Sequence, residues 1–231
     1  MDKKIRAEVA MGIIIIVAII VGGAIYFANE YPKIEQQSGK QYTSSTMLCE
    51  NFQNASSGSI VFLGDSITAL KDWSSVFKSL CVINAGISGN TTDDIISRVD
   101  EAIISKPKKL FLMIGVNDLL RGKDEAYVLA NYKVISDKIK NNSPDTIIYI
   151  QSILPVNNDI MTVGKIDSEK IIALNDKLKT FANGKTIFFI DLYPYFCGAD
   201  NKLYKKYSQD GLHPNFFGYA VWKKILDQYV K

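Results

Sequence analysis

A three-layer α/β fold, with helices covering both faces of a parallel sheet, is predicted by two patterns in residues 59–231. Short apolar runs with few internal charges recur at 60–63, 82–84, 110–114, 146–150 and 186–190, as expected of strands buried on both faces. Segments of helical periodicity separate them, joined by short connections, which is the pattern of strand–helix–strand units. The segment 92–104 places Ile95, Ile96, Val99 and Ile103 on one stripe. Segments 124–139 and 168–181 are patterned alike, and 214–230 closes the chain. There is no internal repeat and no low-complexity segment.

Composition bounds the rest. Of the 231 residues, 47% are apolar and 22% charged, which suits one domain of about 100–200 residues plus a tail. The net charge is only +3, with acids and bases interleaved. Lysine clusters at Lys106, Lys108, Lys109 and at Lys202, Lys205, Lys206 read as solvated faces, because no basic stripe or aromatic stacking motif accompanies them. No nucleic-acid partner is expected. Cys49, Cys81 and Cys197 are far apart and the chain has 1 histidine, so neither a structural zinc site nor any cofactor is expected. The cysteines are read as half-buried small apolar residues; one disulfide stays open if the domain lies outside the cytoplasm.

The N-terminus predicts a membrane segment. Residues 9–28 carry no charge and include an almost purely aliphatic run from Met11 to Val21. As a helix rising about 1.5 Å per residue, they span the roughly 30 Å hydrocarbon layer. In lipid the helix satisfies every backbone group, which overrides the β-branched composition. Lys3, Lys4 and Arg6 precede the run, placing residues 1–8 in the cytoplasm and the remainder across the membrane. A cleavable signal peptide fits less well, since no small-x-small site closes the run. Residues 29–58 read as a polar tether with a short helix near 46–52, followed by the domain at 59–231.

Ligands of such folds bind at the carboxyl ends of the strands. The first run ends in Gly64-Asp65-Ser66-Ile67-Thr68. A serine there is either an exposed nucleophile or an ordinary helix cap. The second leads into Gly86-Ile87-Ser88-Gly89-Asn90-Thr91-Thr92, where Gly89 presents a backbone amide or simply makes a turn. After the third come Gly115-Val116-Asn117-Asp118, with Asn117 a neutral donor or a turn former. Asp210-Gly211-Leu212-His213-Pro214 opens the last helix, and a carboxylate three residues before an imidazole can hold Nδ1–H and leave Nε2 as a base. Trp73 and Tyr219 are expected in the core rather than at the site.

Together these blocks, in this order, resemble the GDSL, or SGNH, family of serine hydrolases, whose Ser, Gly, Asn and His are matched by Ser66, Gly89, Asn117 and His213. The resemblance implies a flavodoxin-like α/β/α sandwich with five parallel strands in the order 2-1-3-4-5. It implies ester hydrolysis through an acyl-enzyme, with Ser66 as nucleophile, His213 as base and Asp210 as its orienter. An oxyanion hole is implied from Ser66, Gly89 and Asn117, while Asp65 and Asp118 match positions that brace turns. The chain departs from many members at Ala69-Leu70, where glycine is common. The expected activity is that of a membrane-anchored, extracytoplasmic esterase acting on short acyl groups, acetyl on carbohydrate among them. A lysophospholipase or thioesterase is the alternative enzyme, and a non-catalytic binding module the alternative class.

Overall fold

The structure is a computed structural model that describes residues 58–78 and 81–230. The apolar segment 9–28 and the helix expected near 46–52 lie outside these residues. Among the described residues no helix is long and apolar enough to cross a membrane.

Five parallel strands, β1 (Ile60–Gly64), β2 (Val82–Gly86), β3 (Lys109–Met113), β4 (Ile147–Gln151) and β5 (Ile187–Ile190), form one sheet in the order β2-β1-β3-β4-β5. Each apolar run of the sequence is a strand. β2 runs on to Gly86 because Ala85 and Gly86 pair with Leu63 and Gly64. The helices are α1 (Ser66–Ala69), α2 (Trp73–Val76), α3 (Thr92–Ala102), α4 (Val116–Leu120), α5 (Glu125–Asn142), α6 (Ser168–Lys179), α7 (Tyr193–Phe196) and α8 (Phe216–Val230). α3, α5 and α6 each open on a capping residue that accepts from the first turn or completes a capping box, namely Thr91, Asp124 and Asp167.

Side chains alternate across the sheet, so register decides what each helix layer meets. Phe62, Phe111, Tyr149 and Phe188 are successive register partners and form a row of stacked rings 4.8, 4.8 and 5.5 Å apart. Trp73 lies flat on Phe62 at 4.3 Å, Trp222 of α8 meets Trp73 edge-on at 5.0 Å, and Tyr229 contacts Tyr149. This aromatic layer explains Trp73 and Tyr219, which are core residues as the sequence indicated; Trp73 is fully buried and donates from Nε1 to the Thr68 carbonyl. The other face, with Val61, Leu63, Leu110, Leu112, Ile148 and Ile150, is fully buried in the same core.

The cysteine reading needs correction. Cys81, entering β2, is disulfide-bonded, whereas Cys197 is a buried free thiol. Pairing depends on which segments meet in space, and spacings this wide along the chain carry no trace of it.

Phe62→Ala removes the ring on which Trp73, Phe77 and Phe111 stack. It is expected to lower unfolding free energy by about 3–5 kcal/mol, seen as a reduced urea midpoint with an unchanged slope.

Candidate active site

The register levels the carboxyl ends of three strands, since Gly64 of β1 pairs with both Gly86 of β2 and Met113 of β3. The segments that leave these ends, together with the loop before α8, carry every candidate residue of the sequence.

At the end of β1 the cap of α1 is Asp65, whose Oδ1 accepts the Ile67 amide at 2.9 Å. Capping therefore does not occupy the hydroxyl of Ser66, the first residue of the helix, whose own amide has no carbonyl of an earlier turn to meet. Ser66 Oγ lies 2.9 Å from His213 Nε2, and His213 Nδ1 lies 2.7 Å from Asp210 Oδ2. The other oxygen of Asp210 accepts from Ser208 Oγ and from the amides of Leu212 and His213. Partial burial works against the Asp210 charge, but the His213 hydrogen bond and the two amides outweigh it and hold the carboxyl well below the usual carboxylate range. An ionised carboxylate only accepts. Nδ1 thus carries the proton, and Nε2 presents its lone pair to the serine hydroxyl.

Asp65 has the opposite environment. Burial, only partly offset by the Ile67 amide and by His213, pushes its carboxyl up to about 7. The adjacent turn is braced from outside by Tyr219 of α8, whose hydroxyl donates to the Ile67 carbonyl at 2.7 Å.

The glycine loop after β2 is tied to both neighbours. The Ile87 amide donates to the Gly64 carbonyl at 3.1 Å, and Asn117 Nδ2 donates to the Asn90 carbonyl at 2.9 Å. An amide nitrogen carries two hydrogens, so Asn117 keeps one for a ligand. Gly89 stands at φ +77, which a side chain adopts only with strain. Gly86 serves close approach: a Cβ there would lie 2.4 Å from the Ala69 amide, so Ala69, where the chain departs from the family pattern, packs directly on β2. Asp118 accepts from the Thr92 amide and from Thr92 Oγ1 at 2.5 Å, joining the third block to the start of α3.

The sequence reading missed the residues that hold this loop. Arg98 of α3 donates from Nε to Asn90 Oδ1 at 2.7 Å, from Nη1 to the Ala85 carbonyl at 2.9 Å and from Nη2 to the Gly64 carbonyl at 3.0 Å. Arg121, just past α4, donates to the Gly89 carbonyl at 3.0 Å. A charged residue two turns along the helix from the Thr91 cap, beside the apolar stripe, was the available signal. The assembled arrangement offers a hydroxyl hydrogen-bonded to an imidazole that a carboxylate in turn orients, which is what activation of a serine for addition to a carbonyl requires.

Two expectations follow from these contacts. Arg98 is a positioning residue, and Arg98→Met should lower kcat on a small ester about 10–100-fold with little change in KM, because the donors shift while substrate binding persists. Asp65 has a folded pKa raised above its unfolded value, so its contribution to stability is complete below about pH 4 and is lost as pH rises through about 7. Asp65→Asn should therefore flatten the decline of urea stability across that window.

Residues 62–221 match the GDSL-like Lipase/Acylhydrolase family. The platelet-activating factor acetylhydrolase IB subunit alpha1 of Homo sapiens is 24% identical over 168 residues, 70% of each chain. A Streptococcus pneumonia protein whose structure is described under the name platelet activating factor superposes with a TM-score of 0.73 at 27% identity, covering 91% of this chain and 99% of its own. An acetylxylan esterase of Geobacillus stearothermophilus shares the fold, with a TM-score of 0.56 at 21% identity over 74% of this chain and 93% of its own. The chain belongs to the GDSL-like lipase/acylhydrolase family and is a serine ester hydrolase.

Proposed function

We propose that Ser66 Oγ attacks the acyl carbon of a short-chain ester while His213 Nε2 takes its proton, with Asp210 holding the imidazole. The amides of Ser66 and Gly89 and the side chain of Asn117 receive the oxyanion. Collapse breaks the ester C–O bond, and His213 returns the proton to the departing alcohol. Water, deprotonated by His213, then adds to the acyl-enzyme and releases the acid and free Ser66. The observation that carries this reading is the chain of contacts at 2.9 and 2.7 Å from Ser66 through His213 to Asp210.

A short acyl group, acetyl first, is the proposed substrate. The connection between β4 and α6 turns Ile153, Leu154, Val156, Met161 and Ile166 into the core, so it adds little exposed apolar surface for a long tail. Two similar proteins bear names that refer to acetyl esters. The proposed place of action is outside the cytoplasm, with residues 9–28 as a single-pass anchor, 29–58 as tether and 59–231 as the catalytic domain. The uncharged 9–28 segment behind Lys3, Lys4 and Arg6 supports this, as does the disulfide at Cys81, a bond that persists in oxidising compartments. Acetylated carbohydrate at the cell surface is the proposed carrier.

Turnover of acetyl and decanoyl esters, with acetylated xylo-oligosaccharides among the acetyl donors, tests the reading. The acetyl compounds are expected to show at least about tenfold higher kcat/KM, and Ser66→Ala to abolish turnover of all. A preference for decanoyl would reverse the acyl assignment, and turnover that survives Ser66→Ala would remove the mechanism.

A further inference from the structure

Most large apolar side chains of the domain are buried, yet Phe216 and Phe217, which open α8, are 78% and 63% exposed. They stand three and four residues beyond His213, at the same end of the domain as the site. Their exposure is built in. Asn215 Oδ1 accepts the amides of Phe217 and Gly218 at 2.9 and 3.2 Å, fixing the first turn of the helix. The Asn215 amide donates to the Tyr207 carbonyl at 2.7 Å, and its Nδ2 donates to the Lys206 carbonyl at 3.0 Å. The 204–207 turn and the start of α8 thus form one rigid edge. That edge also presents Tyr204, 38% exposed, exposed Lys205, and Lys206, whose Nζ lies 4.8 Å from the ring centroids of both Tyr204 and Tyr207.

Bare phenyl rings flanked by lysines match a lipid surface, where rings enter the acyl boundary and ammonium groups meet anionic headgroups. A sugar fits less well, because the two rings are turned 82° from one another and neither carries a polar tip. On the anchoring reading above, residues 29–58 join the domain to a segment held in a bilayer.

We propose that this edge is a membrane-contact surface, on which Phe216 and Phe217 enter an anionic phospholipid bilayer while Lys205 and Lys206 meet its phosphates. It rests on the anchoring reading above and is independent of which ester is cut.

The test uses the full chain carrying Phe216→Trp, reconstituted into phosphatidylglycerol-containing liposomes with or without bromine on the acyl chains. Native Trp73 and Trp222 are fully buried, so the introduced indole reports the edge. Retained turnover of p-nitrophenyl acetate shows that the variant is folded, and Phe217→Trp replaces it if it is not. Bromolipid is expected to quench the added emission at least about twofold, and Lys205→Glu with Lys206→Glu to remove most of that quenching. Flotation with the liposomes without quenching would overturn the contact surface alone. Failure to float would overturn anchor and surface together. Quenching that the lysine pair does not affect, or an indole that responds to acetylated xylan and not to lipid, also counts against the proposal.

Discussion

Burial of the sheet on both faces is the constraint from which the site follows. Strands covered by helices on either side tolerate almost no polar side chain along their length, so the chemistry is confined to their carboxyl ends. The pairing of Gly64 with Gly86 and Met113 makes those ends level, and three loops that are distant in sequence emerge side by side. Arg98 ties these ends together: it adds a second donor to the Gly64 carbonyl, which already accepts the Ile87 amide, donates to the Ala85 carbonyl, and uses its remaining nitrogen to hold Asn90. The guanidinium suits this task because its donors form a rigid fork.

Three aspartates near the site show how environment separates groups of identical chemistry. Asp65 is buried with one amide on its carboxyl, and burial prevails, raising its pKa. Asp118 meets both donors of Thr92, yet burial still raises it. Asp210 is half-exposed and gathers a hydroxyl, two amides and the imidazole, so its charged form is favoured. The carboxylate that faces the histidine is the one whose surroundings keep it ionised, while the other two hold turns in place.

The aromatic layer links this site to the rest of the domain. Phe62 lies in β1, which leads through Asp65 to Ser66, and Trp73 on it is met by Trp222 and Tyr219 of the helix that follows His213. Tyr219 then reaches back to the Ile67 carbonyl. The nucleophile turn and the histidine loop are thereby held to one packed body, and close packing transmits position well because it leaves little room for drift.

By itself the sequence determined the alternation of strand and helix, the parallel sheet, and the four blocks bearing Ser66, Gly89, Asn117 and His213 with Asp210. Those features are local: periodicity, glycine placement and short spacings record them directly. Contacts between segments far apart along the chain came only with the tertiary structure. Asp65 rather than Ser66 caps α1, Arg98 and Arg121 hold the glycine loop, and Cys81 is disulfide-bonded. Each depends on which loops the register brings together. Distances such as 2.9 Å between Ser66 and His213, 147 positions apart, exist only once the sheet has closed the gap.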